Sequence, residues 1–166
     1  MDQGQRQLLI RNPAYTARIP MLREMWPGAK FIHIYRNPFR IYPSMKNYFN
    51  KLFPALALQD YHQVKIDDTI FKTYHRMMHL AIADLSQLPD SEYIEIQYEQ
   101  LEERPLAALE LLYGKLGLSG FENTKPYFEK YLDGIRGYTK NQYHQDSAEV
   151  ELIKRHWGDI IDHYGY

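Results

Sequence analysis

The sharpest apolar run in the chain is Phe31-Ile32-His33-Ile34-Tyr35, preceded by Lys30. Its aromatic and β-branched residues predict a strand over 30–35, and its near-continuous apolar character predicts burial on both faces, as in a parallel sheet. Residues 7–11 read as a shorter buried strand ending in the charge of Arg11, and Tyr93-Ile94-Glu95-Ile96 as a third strand in a mixed pattern. Helical spacing fills the intervals. Ala17, Met21, Leu22 and Met25 predict a helix from Thr16 to Trp26, with Thr16 as N-cap and Pro27-Gly28 as its stop. Asn37 and Pro38 suit the cap and first turn of a second helix, running to about Lys51, which Pro43 should kink or break.

Residues 52–66 have weak periodicity and include Pro54, so they read as irregular, a candidate acceptor-side surface. Asp67-Asp68-Thr69 starts a long helix through about Leu88, with acids at the end where the dipole favours them. Pro105 opens a helix to the Gly117 region, another is expected near 125–135, and Asp146-Ser147-Ala148-Glu149 forms a capping box for a last helix to about His163. Strands alternating with helices predict an α/β fold, a parallel sheet flanked by helices. Three strands are few for such a sheet. We therefore expect residues 1–166 to be one domain that is N-terminally incomplete, with an apolar sheet edge left open.

Composition narrows the class. Of 166 residues, 45% are hydrophobic and 25% charged, as in ordinary globular proteins. No apolar run is long enough to span a bilayer, and the first residues contain no apolar core of a signal peptide. The chain has no cysteine, which removes disulfides, thiolate metal sites and cysteine nucleophiles and fits a cytoplasmic location. Net charge is −1, but it is unevenly spread: residues 1–59 carry nine Lys/Arg against Asp2 and Glu24. From Glu24 to Asp60 there are five basic residues and no acid, so nothing nearby in the chain would neutralise an anion cradle there.

The candidate cradle is the turn after the 30–35 strand. The carboxyl end of a strand followed by a helix start is where open α/β sheets bind ligands, and free helix N–H groups favour anions there. Arg36 stands at that end with a planar fork of donors, and Ser44 lies eight residues on.

Taken in order, Leu9-Ile10-Arg11-Asn12-Pro13, Thr16-Ala17-Arg18-Ile19, Phe31 through Pro38, and Ser44 resemble the sulfotransferase superfamily. They are most similar to its bacterial branch, related to the protein-tyrosine sulfotransferases. Gln97-Tyr98-Glu99-Gln100-Leu101 followed by Pro105, Tyr138 through Tyr143, and Trp157-Gly158-Asp159 through Tyr166 continue the resemblance to the end of the chain.

The resemblance implies a P-loop-NTPase-like fold and transfer of a sulfuryl group from the donor PAPS to an acceptor hydroxyl or amine, releasing PAP without a metal. It implies that Arg36 and Ser44 bind the donor's 3′-phosphate, that Tyr98 lies near the adenine, and that Lys140 and Asn141 close over the phosphates. Arg11 takes the place of a family lysine that touches the sulfuryl group. The family's opening strand, Gly/Ser/Thr-containing loop and helix have no counterpart in these residues, and its general base is not identifiable, so a non-catalytic PAP-binding remnant or interaction module is the alternative expectation. The acceptor stays open among carbohydrate, peptide, lipid and small alcohol.

Other patterns carry less. His75 and His79 are spaced i, i+4 on an expected helix, but no acidic or third histidine partner is evident near them, so no metal site is expected. A nucleic-acid binder is disfavoured by the acidic remainder of the chain.

Overall fold

In the computed structural model, residues 8–137 and 146–166 are described. Two strands, β1 (Phe31–Tyr35) and β2 (Tyr93–Gln97), pair in parallel, with Phe31 opposite Tyr93 and Tyr35 opposite Gln97. Around them lie α1 (Ile19–Met25), α2 (Pro38–Leu56), α3 (Ile66–Leu85), α4 (Tyr98–Glu103), α5 (Pro105–Lys115), α6 (Phe121–Gly134) and α7 (Ser147–Tyr164). The structure is thus mostly helical, with a small parallel sheet flanked by helices, as the α/β reading requires.

Paired residues of a parallel ladder share a face, so Phe31, His33, Tyr35, Tyr93, Glu95 and Gln97 line one side. Phe31 and Tyr93 pack there on Ile19, Leu85 and Leu88 from α1 and the end of α3. Tyr35 joins the main core, built from Tyr42 of α2, Ile70, Phe71 and Met78 of α3, and Ile153, Trp157, Ile160 and Ile161 of α7. On the opposite side Ile94 and Ile96 are buried under Leu112 and Leu116 of the α5 region. Their ladder neighbours Ile32 and Ile34 are 37% and 48% exposed. The expectation that β1 is buried on both faces is therefore corrected: α5 covers the β2 half of this face, and the β1 half is left largely open among the described residues.

The expected strand over 7–11 is also corrected for residues 8–11, Gln7 lying outside the described residues. Among the described residues, 8–12 have no ladder partner, and Leu8, Leu9 and Ile10 are exposed. Asn12 then accepts a hydrogen bond from the Ala14 amide, and Pro13–Ala17 form a short 3-10 helix. A brief apolar run satisfies the strand pattern whether or not a neighbour exists to complete it. The predicted Thr16 cap is displaced by that turn, and α1 begins at Ile19.

Helix α2 runs through Pro43 to Leu56 without the expected break. A proline inside a helix costs about 3 kcal/mol through its missing donor and ring clash. Packing offsets this: Pro43 is buried, and the fully buried Tyr42 stacks on Phe71 at 4.6 Å and meets Trp157 edge-on at 6.3 Å. The part of 52–66 read as irregular is accordingly shorter, since 52–56 are helical and α3 starts at Ile66. Asp67 and Asp68 sit in the first turn of α3 as expected. Asp146 caps α7 by accepting from the Glu149 amide at 2.7 Å, as the capping-box pattern predicts. No helix of the described residues is long and apolar enough to cross a membrane.

Candidate functional site

Because β1 and β2 are parallel and in register, the residues that follow them emerge side by side. Arg36 follows β1, and Tyr98 follows β2 as the first residue of α4. The guanidinium of Arg36 lies over the Tyr98 ring, 4.5 Å from its centroid. This contact fixes the planar group at the carboxyl end of the sheet and leaves its in-plane donors to point elsewhere. The Arg36 Nε is buried and has no hydrogen-bond partner. A buried charged donor without an acceptor is costly, and an anion placed in that plane would satisfy it.

The helix start beside it is less open than the sequence suggested. Asn37 caps α2 by accepting from the Phe39 amide at 2.9 Å, and its own amide donates to Glu99 Oε1 at 3.1 Å. The amides of Arg40 and Ile41 donate to the Asn37 carbonyl. The expectation of free N–H groups and no local acid is thus corrected. Glu99, 62 residues away in the chain, supplies a carboxylate at the helix N-terminus, which the dipole favours. Arg36 remains the group at this turn whose donor is unsatisfied.

Glu99 also ties the site to the C-terminus. Its Oε2 accepts from the Tyr166 hydroxyl at 2.8 Å. Gly165, at φ +70°, turns the chain out of α7 in a conformation that costs glycine little, and so returns Tyr166 to the sheet. Two positions earlier, Tyr164 stacks on Tyr35 at 4.1 Å and donates to Glu95 Oε1 at 2.8 Å. His33 Nδ1 lies 2.9 Å from the same oxygen. Burial raises the Glu95 carboxyl, but the hydrogen bonds with His33 and Tyr164 outweigh it and hold it below its ordinary value. Burial, then the bond to Glu95, pushes the Tyr164 phenol upward. The two acids beneath the strand ends are thereby committed to holding α7 in place. This latch was not read from the sequence; its signal was the pairing of Glu95 and Glu99 with a tyrosine-rich terminus.

Ser44 lies two turns into α2, about 9 Å along the helix axis from Pro38 at the usual rise per residue. It is half-buried and lines a shallow groove with Asn47, Tyr48, Lys51 and Leu52. The structure therefore joins Arg36 directly to Tyr98 and puts Ser44 on the helix that Arg36 leads into. Arg11 is exposed in the segment before the 3-10 helix. Lys140 and Asn141 lie outside the described residues.

Comparison with known proteins adds two findings. The model of the sulfotransferase family matches residues 1–123. The chain is also 33% identical over 159 residues to the omega-hydroxy-beta-dihydromenaquinone-9 sulfotransferase Stf3 of Mycobacterium bovis, and equally to that of Mycobacterium tuberculosis. The match takes in 96% of this chain and 41% of each relative, so the chain spans about two fifths of their length. No solved structure matches it.

Proposed function

The chain belongs to the sulfotransferase family, and from that premise we propose that it carries the part of a sulfuryl-transfer site that grips the 3′-phosphate of the donor PAPS. The observation that carries this reading is the Arg36 guanidinium, held flat on Tyr98 at the strand ends with a buried, unsatisfied donor. In this reading Arg36 forks onto the phosphate, Tyr98 lies near the adenine and Ser44 adds a hydroxyl. Arg11 is proposed as a cation for the sulfuryl group, and Lys140 and Asn141 as the residues that close over the phosphates.

In the reaction, the acceptor hydroxyl oxygen forms a bond to sulfur as the bond from sulfur to the donor's bridging oxygen breaks. The acceptor loses its proton and PAP leaves. Charge builds on the transferring and bridging oxygens, so fixed cationic donors lower the barrier. The acceptor proposed is a hydroxylated isoprenoid-quinone lipid, supported by the likeness to Stf3.

The amides of Asn37 and Phe39 are already hydrogen-bonded within the chain. That favours a second reading in which these residues bind PAP weakly without turnover. Calorimetry separates the readings from failure of both. Binding of PAP in preference to 5′-AMP, lost in Arg36→Ala, supports the 3′-phosphate site; sulfation of a hydroxylated quinone then distinguishes enzyme from binding module. Equal affinity for the two nucleotides, or an unchanged Arg36→Ala, would overturn the assignment.

A further inference from the structure

The face of α3 turned toward α7 carries a cluster outside the proposed nucleotide site. His75 and His79, one turn apart, share a face of the helix. Asp159 of α7 completes what their sequence neighbourhood lacks. Its Oδ2 lies 3.2 Å from His75 Nε2 and 2.5 Å from His79 Nε2, and the two Nε2 atoms are 3.1 Å apart. We propose that His75, His79 and Asp159 bind a divalent transition-metal ion of the zinc class, stapling α3 to α7.

Three features support this. First, three ligand atoms converge on one point. Zinc bonds of about 2.0–2.1 Å place tetrahedral ligand atoms about 3.3 Å apart, so two of the three edges already fit and the third opens by a small rotation of the carboxylate. With hydrogen bonds alone, two Nε2 atoms compete for a single oxygen while facing each other; a cation would use all three lone pairs together. Second, two imidazoles and one carboxylate suit zinc and its first-row neighbours, whereas calcium and magnesium prefer oxygen ligands.

Third, the support is rigid. Trp157, fully buried, donates from Nε1 to the Phe71 carbonyl at 3.1 Å, one turn of α3 before His75 and two residues of α7 before Asp159. The backbone at Trp157 is non-helical, so α7 kinks two residues before Asp159. The side chains are about half exposed, which leaves room for water as a fourth ligand and a path for the ion. The ion would hold the half of α7 whose end carries Tyr164 and Tyr166.

The test is calorimetric titration of the chelator-stripped chain with ZnCl2, alongside cobalt(II) substitution followed by its d–d absorption. One equivalent should bind per chain with a tetrahedral cobalt spectrum. His79→Ala and Asp159→Asn should each weaken zinc at least about tenfold, since even outer-shell changes cost that much. His62→Ala, which removes the exposed imidazole beside Asp60, should leave binding unchanged. Circular dichroism in the presence of chelator shows whether the variants fold, with His79→Gln as the substitute if His79→Ala does not. Equal zinc affinity in the parent and in the doubly substituted H75A/H79A chain, or loss of binding in His62→Ala, overturns the proposal.

Discussion

Replacing Arg36 with alanine should separate stability from binding in a way that few substitutions do. In the ligand-free chain the guanidinium is held over Tyr98 at 4.5 Å, and its Nε is buried without an acceptor. A cation–π contact of this kind contributes about 0.5–2 kcal/mol. An unsatisfied buried donor costs about 1–3 kcal/mol, more for a charged group. The two terms nearly cancel, so Arg36→Ala should change the unfolding free energy by no more than about 1 kcal/mol, and in either direction. Binding of a phosphate monoester has no such compensation. Hydrogen bonds to charged groups contribute about 1.5–3 kcal/mol each, so losing the fork should cost about 3 kcal/mol, or about a hundredfold in PAP affinity.

Arg36→Lys keeps the charge but loses the planar fork, and should fall between parent and alanine. Urea unfolding of the free chain measures the first quantity and calorimetry with PAP the second. If Arg36→Ala destabilises the free chain by about 2 kcal/mol or more, well beyond the near-cancellation of contact and desolvation terms, while PAP binds as before, the arginine is a structural brace and the reasoning fails.

The remaining predictions concern the frame around the site. Trp157→Phe removes a buried hydrogen bond and part of a fully buried ring; it should cost about 2–3 kcal/mol and lower the thermal midpoint by roughly 5–10 °C. The Glu95 carboxyl is held below its unfolded value of 4.5. It therefore stabilises the fold above that pH, and the contribution is lost as pH falls through the lower folded value. Urea midpoints measured from neutral to acid pH should decline less steeply in Glu95→Gln. Asp146→Ala removes the cap of α7 and should cost about 1 kcal/mol, with faster amide exchange confined to its first turn.

Much of the chain was legible from residue order alone. The strand at 31–35, the strand at 93–97, and the starts of α2, α5 and α7 followed from β-branched runs, prolines and caps, which act through neighbours a few residues away. The position of Arg36 at a strand end was equally local. So was the family resemblance, carried by short blocks; the sulfotransferase match over residues 1–123 then bore out the family.

What only the tertiary structure decided depends on groups distant in the chain. Whether an apolar segment is a strand depends on a partner, and among the described residues 8–12 have none. Whether a proline ends a helix depends on what its neighbours bury, and Tyr42 against Phe71 carries α2 through Pro43. The helix start beside Arg36 looked free of acids because Glu99 arrives from 62 residues away. Asp159 meets His75 and His79 from 80 or more residues away, where α7 is bonded to α3 through Trp157. Local propensity acts over a turn or two, whereas charge pairing and burial act through space. The fold alone determines which distant residues share that space.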